Sequence, residues 1–143
     1  MDVLMAELSP LAPSSFPVMP QISGLSFSTA ATAMKYQGRD DLMLMLADEG
    51  AVFAGCFTTS KTASAPVHLS RRGIASGAAR AVITNAGNAN AFTGIRGEQA
   101  IMAYRDVFAG ALNIAPEGLL IGSTGAIGEE LEAEFMLKMT DNI

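Results

Sequence analysis

The sequence predicts an α/β fold in which strands of a largely buried sheet lie between covering helices. Two short apolar runs end abruptly in small polar residues and glycines, at residues 81–94 and 119–128, as buried strands do where they reach a site. Between them, apolar residues recur at helical spacing. Strand, helix and strand in this order imply a right-handed crossover if the two strands are parallel.

Length and composition limit the class of protein. The 143 residues allow one ordinary domain and hardly two. Half of the residues are hydrophobic, the mean hydropathy is +0.32, and 16% are charged, against about 25% in typical soluble domains. No apolar run approaches the roughly 18 residues that a membrane span requires, so we expect no membrane role. The apolar surface therefore indicates burial against a partner or a further part of the protein.

Charge and cysteine content exclude further classes. The net charge is −5 and no stripe of lysine and arginine is present, which argues against nucleic-acid binding. The acidic N-terminus has no basic residues before its apolar stretch, so it predicts neither a secretory signal nor a mitochondrial presequence. A single cysteine, Cys56, suits a reducing compartment, and we expect a cytoplasmic protein.

The first half of the chain is predicted to hold an arm and three strands. Residues 1–20 form an extended arm, because their four prolines exclude a helix or a central strand. Residues 21–143 form one α/β domain, incomplete at its C-terminus. Within it, apolar alternation predicts a half-exposed strand at 25–30, and two apolar runs, 42–46 and 51–57, predict a hairpin.

The second half is predicted to supply the crossover. A short strand at 66–69 precedes a strand at 80–84, and helical spacing predicts a helix between Gly97 and Leu112. A strand at 119–122 follows, and residues 131–143 are typical of a short terminal helix.

Few side chains suit nucleophilic or metal chemistry. His68 is the only histidine, so no Ser-His or Cys-His dyad and no histidine-rich zinc site can form; we expect it to be a partly exposed strand residue. Cys56, inside an apolar strand with no adjacent base, is expected to be a small buried hydrophobe. Asp40 and Asp41 lack the further oxygen ligands that a cation needs, so no metal site is predicted.

The glycine-rich segments leave one chemical hypothesis. They fit neither the phosphate-binding nor the dinucleotide-binding pattern. At Ser123, Thr124 and Gly125, however, a hydroxyl and a backbone amide follow a rigid strand, and such a pair can donate to the oxyanion of an acyl-transfer intermediate. An ordinary strand-to-turn junction is the alternative, and the residues alone leave both open.

Four blocks of sequence, in order, resemble the ornithine acetyltransferase family of arginine biosynthesis, also called glutamate N-acetyltransferase. The blocks contain Gly-Arg-Asp-Asp-Leu, Phe-Thr-Thr with Ala-Pro-Val, Asn-Ala-Gly-Asn-Ala-Asn-Ala with Thr-Gly, and Ser-Thr-Gly-Ala-Ile-Gly. They lie at residues 27–42, 57–67, 85–94 and 123–128. The family has Ser at Ala86 and Val at Ala126, which are small changes at strand ends.

The resemblance implies a layered helix/sheet sandwich, of which this chain is the N-terminal portion, and an acyltransferase activity. In the family, a precursor cuts itself between Ala and Thr into α and β chains. The freed Thr of the β chain takes the acetyl group of N-acetylornithine and passes it to glutamate, without a cofactor, in an α2β2 assembly. The oxyanion is held by the Thr-Gly pair that here is Thr124 and Gly125. No substrate-binding residue is assigned.

Three interpretations stay open at this point. Because the sequence stops at Ile143, before the family's Ala-Thr pair, we expect an α-chain-like part that is inactive without a β chain. The alternatives are an inactive truncated remnant, or a small-ligand-binding or interaction module on the same scaffold.

Overall fold

A computed structural model describes residues 10–138 and shows a mixed α/β fold, which confirms the predicted class. A four-stranded sheet carries helices on one face and along one edge. The elements are β1 (Leu25–Ala30), β2 (Leu42–Ala47), α1 (Ala65–Ser76), β3 (Ala81–Asn88), α2 (Gly94–Ala111), a 3₁₀ turn (Pro116–Gly118), β4 (Leu119–Ala126) and α3 (Ala133–Leu137).

The sheet has the order β1-β2-β3-β4. The β1–β2 and β2–β3 pairs are antiparallel, while β3 and β4 are parallel and are joined through α2. A parallel pair needs such a crossover, since a tight turn cannot reverse the chain twice. The parallel arrangement brings the C-terminal ends of β3 and β4 together.

The core lies between one face of this sheet and helices α2 and α3. Alternation along the strands directs every second side chain to this face. The buried residues that share it include Leu42, Leu44, Ile83 and Ile121 from the strands, and Ile101, Tyr104, Phe108 and Met136 from the helices. The opposite face is less covered, because Met43, Met45 and Val82 are half-buried and Phe27 is 58% exposed.

Helix α1 packs against the outer edge of β4. The small residues Ser70 and Gly73 on its buried side let the helix approach closely: a Cβ on Gly73 would lie 2.7 Å from Leu120 Cδ2. Ser70 Oγ donates to the Ile121 carbonyl and accepts from the Ile121 amide, both at 2.8 Å. The Ser70 side chain thus takes the place of a neighbouring strand along this part of the edge.

The predicted hairpin of residues 42–46 with 51–57 is wrong. Residues 51–57 form neither helix nor strand, and Cys56 is exposed rather than buried. The physical reason is that a strand has two edges: β1 occupies one edge of β2 and β3 occupies the other. No edge of β2 is left for a third strand.

The predicted strand at 66–69 is also wrong, because these residues lie in helix α1. Pro66 stands in the first turn of the helix, where its missing N–H costs nothing. His68 is therefore a half-buried helix residue, not a strand residue.

The other predicted elements have mixed outcomes. β1, β2, β3, β4 and α2 form, but the predicted ends of β3 at 84 and of β4 at 122 are wrong, because the strands continue to Asn88 and Ala126. The two segments pair with each other there, so the small polar residues belong to the sheet rather than to turns. Helix α3 lies within the predicted terminal helix, whose residues 139–143 are outside the described part. Residues 10–20 are exposed and form neither helix nor strand, while residues 1–9 of the predicted arm are not described. No helix in the described chain has the length and apolarity for a membrane span.

Candidate active site

The two glycine-rich segments singled out in the sequence meet at the C-terminal ends of β3 and β4. Ala86 is in register with Thr124, and Gly87 with Gly125. Thr124 and Gly125 are both exposed, although residues 119–121 of the same strand are buried. The Thr124 hydroxyl and the Gly125 amide therefore lie at the surface, at the end of the sheet.

The backbone direction of β4 follows from Ser70. Because Ser70 bonds both the N–H and the C=O of Ile121, these groups point away from β3. Backbone groups alternate in direction along a strand, so the amides of Ser123 and Gly125 point to the same outer edge. The Ala126 carbonyl, which accepts from the Ala89 amide at 2.9 Å, points to the β3 side as this alternation requires. The Gly125 N–H therefore lies on the edge that no described strand pairs.

Position 125 admits only glycine. Its φ is +135°, and a Cβ there would lie 2.2 Å from the carbonyl carbon of Gly87. Gly87 has a φ of +112°, and the β3–β4 register shifts just after it, at Asn88. The two backbones thus approach more closely than side chains allow, which fixes the Gly125 peptide against β3.

Three buried asparagines hold this end of the sheet. Asn85 Nδ2 donates to the Asn88 carbonyl at 2.9 Å, and the Asn90 amide donates to Asn88 Oδ1 at 2.7 Å. Asn88 Nδ2 donates to the carbonyls of Glu129 and Glu130, at 3.1 and 3.2 Å. The asparagines thereby connect the loop after β3 to the segment after β4. The sequence identifies the asparagine-rich block but does not predict these hydrogen bonds. The pattern that could have indicated them is the repetition of asparagine directly after an apolar strand.

Two cavities adjoin the strand ends. One of about 100 Å³ is lined by residues that include Gly87, Asn88 and the ion pair of Lys35 with Glu129, whose charged atoms are 2.6 Å apart. A larger one, of about 380 Å³, lies where α1 and α2 begin and includes His68 and Glu98. Residues 10–138 bring together no three His, Cys, Asp or Glu side chains that could hold a metal ion.

The arrangement suits charge stabilisation rather than nucleophilic attack. A fixed amide and an adjacent hydroxyl, both accessible, can donate two hydrogen bonds to an oxygen that becomes negative during a reaction. The Asp41 carboxylate is buried and has a structural partner: it accepts from Thr32 through the amide at 2.6 Å and the hydroxyl at 2.9 Å.

Comparison with known proteins gives one consistent family. The model of the ArgJ family matches residues 26–143. The arginine biosynthesis bifunctional protein ArgJ of Brucella suis biovar 1 (strain 1330) is 50% identical over 128 residues, which are 90% of this chain and 31% of that protein. The ArgJ protein of Agrobacterium fabrum is 48% identical over 126 residues, 88% of this chain and 30% of that protein. The chain thus spans less than a third of these two curated relatives.

Solved structures agree with the sequence comparison. A crystal structure of ArgJ from Bacillus halodurans superposes with a TM-score of 0.77 at 32% identity, over 82% of this chain and 62% of that one. Ornithine acetyltransferase from Mycobacterium tuberculosis, solved in complex with ornithine, gives a TM-score of 0.80 at 30% identity, over 85% of this chain and 66% of that one.

Proposed function

Because the chain belongs to the ArgJ family, we propose that it is the α-chain-like part of a glutamate N-acetyltransferase of arginine biosynthesis. Its task is to bind the oxyanion while acetyl moves from N-acetylornithine to glutamate. The attacking threonine hydroxyl comes from a β chain. The names of the relatives support arginine biosynthesis, and the ornithine-bound relative supports an ornithine derivative as the substrate.

The observation that carries the proposal is the position of Thr124 and Gly125. Both are exposed, they are adjacent, and strand alternation directs the Gly125 amide to the outer edge of β4. A pair of preorganised donors stabilises a developing negative charge far better than mobile water does, since no reorganisation is needed during the reaction.

The reaction then runs in two matched halves. The threonine oxygen of the β chain attacks the acetyl carbonyl carbon, whose oxygen becomes the oxyanion and accepts from the Thr124 hydroxyl and the Gly125 amide. Collapse breaks the C–N bond, the ornithine amine leaves with a proton, and an acetyl-threonine ester remains. The glutamate amine attacks this ester, the same two donors hold the second oxyanion, and N-acetylglutamate departs as the threonine regains its proton.

The less covered face of the sheet supports a partner polypeptide. Phe27 is 58% exposed there, beside half-buried Met43 and Met45. The chain also covers only 31% of the Brucella relative. We expect a β chain to complete the protein, in the α2β2 assembly that the family resemblance implies, within the reducing cytoplasm that one exposed cysteine suits.

The test is an acetyl-transfer assay of the complete protein. The complete protein is made by expressing this chain together with the part of the ArgJ sequence that lies beyond it in the relatives. Labelled glutamate and N-acetylornithine should yield labelled N-acetylglutamate, and free ornithine should appear in equal amount. The 143-residue chain by itself should transfer no acetyl group, since the nucleophile is supplied by the β chain.

Two results would contradict the proposal. A complete, folded protein that forms no N-acetylglutamate would remove the assigned activity. Turnover by the 143-residue chain alone would show that its own residues provide the nucleophile, against the proposed division of roles.

A further inference from the structure

Three buried polar atoms are unpartnered near the end of β4, and one of them belongs to the residue just before the candidate oxyanion donors. They are Asn85 Oδ1, the Tyr104 hydroxyl and Ser123 Oγ, each buried and without a hydrogen-bond partner in the described part of the chain. Tyr104 is fully buried and Asn85 is 1% exposed. Buried polar atoms without partners are uncommon, because each costs desolvation free energy that no bond returns.

The three side chains lie on the same side of the sheet. Asn85 and Ser123 are register partners on adjacent strands, so their side chains lie on the same face of the sheet. Tyr104 reaches this face from α2 and makes an edge-to-face contact with Phe108, with ring centroids 6.4 Å apart. Burial raises the pKa of Tyr104, and the nearby Ser123 side chain lowers it in part, although the two hydroxyls stop short of full hydrogen-bond geometry.

The donors and acceptors permit a complete set of bonds among the three side chains. Asn85 Nδ2 is already used by the Asn88 carbonyl, which leaves Oδ1 as an acceptor only. The Tyr104 hydroxyl stays protonated in the core and can donate to Ser123 Oγ. Ser123 can then donate to Asn85 Oδ1. All three atoms are satisfied in this arrangement.

We propose that Tyr104, Ser123 and Asn85 form a buried hydrogen-bond chain that positions the oxyanion donors of Thr124 and Gly125. This inference rests on the proposed function. Ser123 immediately precedes the two donors on β4, so bonds to Tyr104 and Asn85 hold the C-terminal end of β4 against both α2 and β3. The three are positioning residues, since none of them touches the reacting atoms.

The experiment uses the complete protein with Ser123→Ala, Tyr104→Phe and the double variant. Each single variant interrupts the hydrogen-bond chain. We expect kcat to fall about 3- to 10-fold, with KM within about twofold of wild type, because one or two net hydrogen bonds are lost. The double variant should lower kcat by no more than the larger of the two single effects, because both changes disrupt the same hydrogen-bond chain. Ser123→Thr, which keeps the hydroxyl, should recover most of kcat.

The matched control is Ser28→Ala, which removes a half-buried serine hydroxyl from β1, at the far edge of the sheet. It should leave kcat unchanged. Unchanged kcat in Ser123→Ala and Tyr104→Phe would overturn the positioning role even if both proteins melt at a lower temperature. Additive losses in the double variant would show that the two hydroxyls act independently.

Thermal melting separates this inference from the proposed function. If the Tyr104 and Ser123 hydroxyls bond each other, Tyr104→Phe lowers the melting temperature of the protein. If they are isolated buried groups, removal of the Tyr104 hydroxyl raises the melting temperature, and the hydrogen-bond chain does not exist. This measurement needs no activity. A wild-type protein without acetyl transfer would therefore end the proposed function, while the sign of the melting shift would still decide whether the hydrogen-bond chain forms.

Discussion

The two halves of strand β4 differ in what occupies their edges. Leu119, Leu120 and Ile121 are buried, with β3 on one side and Ser70 of α1 on the other. Thr124 and Gly125 are exposed, and within residues 10–138 they pair with β3 and with no other strand. We call residues 119–121 the stem and residues 123–125 the tip of β4. The stem is buried and bonded at Ile121 on its outer edge, whereas the tip is half-buried or exposed, so the stem holds the tip in place.

Residue type explains the difference. Burying a Leu or Ile side chain contributes about 1.5–3 kcal/mol relative to exposure, so the three apolar residues anchor the stem. The tip has no large side chain to bury, and glycine at 125 permits the close contact with Gly87. Rigidity at the tip comes from the backbone contact and from the asparagines behind it, rather than from apolar packing.

Gly125→Ala should have the largest effect. A Cβ 2.2 Å from the Gly87 carbonyl carbon must push the tip away from β3, which displaces the amide and the Thr124 hydroxyl together. We expect kcat of the complete protein to fall about 10³-fold or more, since a single lost oxyanion donor already costs about 10²–10³-fold.

Gly110→Ala is the control for that change. It adds the same methyl group inside α2, where nothing lies within 4 Å of the new Cβ, and should raise the free energy of unfolding by about 0.5–1 kcal/mol with kcat unchanged. Equal kcat values in the two variants would show that catalysis does not depend on the observed position of residues 123–125.

Thr124→Ala should follow, with kcat lowered about 10²–10³-fold and KM for N-acetylornithine little changed, because the hydroxyl bonds the oxyanion more strongly than the ground-state carbonyl. Thr124→Ser keeps the hydroxyl and should retain most of the activity. Steady-state kinetics of the two variants check the prediction. Similar kcat values for Ala and Ser at 124 would separate the hydroxyl from catalysis.

Ser70→Ala should act on the stem alone. It removes two bonds of 2.8 Å and leaves the amide and carbonyl of Ile121 buried without partners, so the free energy of unfolding should fall by about 1–3 kcal/mol. Denaturant unfolding measures it, and kcat should change less than twofold. Ser76→Ala, which affects only the C-terminal turn of α1, should cost less. A larger kcat effect from Ser70→Ala than from Thr124→Ala would reverse the assignment of stem and tip.

How much of the fold the sequence predicts depends on how each segment is stabilised. β3, β4 and α2 were predictable, because their apolar residues follow a strand or helix period and their ends are marked by glycine, asparagine or proline. Helix α1 was missed because its buried side consists of Pro66, Leu69, Ser70 and Gly73, which have helical spacing but little apolar character. The proline in its first turn was a usable signal.

The apolar segment 51–57 shows the other limit. Its composition favours a strand, yet strand formation requires a free sheet edge, and the pairing of β2 with β3 is not encoded locally. At the candidate site, the motif predicts the Thr124–Gly125 pair, whereas Ser70 and Tyr104 are distant from β4 in sequence and come near it only in the fold. Only the fold reveals them.

The most direct test of the central claim, that Thr124 and Gly125 bind an oxyanion, is the affinity of a transition-state analogue. The analogue is N-acetylornithine with a phosphonate in place of the acetyl carbonyl group, and its inhibition constant is measured on the complete wild-type protein and on Thr124→Ala. We predict that the inhibition constant rises by about the factor by which kcat/KM falls, about 10²–10³. An unchanged inhibition constant would show that the Thr124 hydroxyl does not hold the oxyanion, and the account would be wrong.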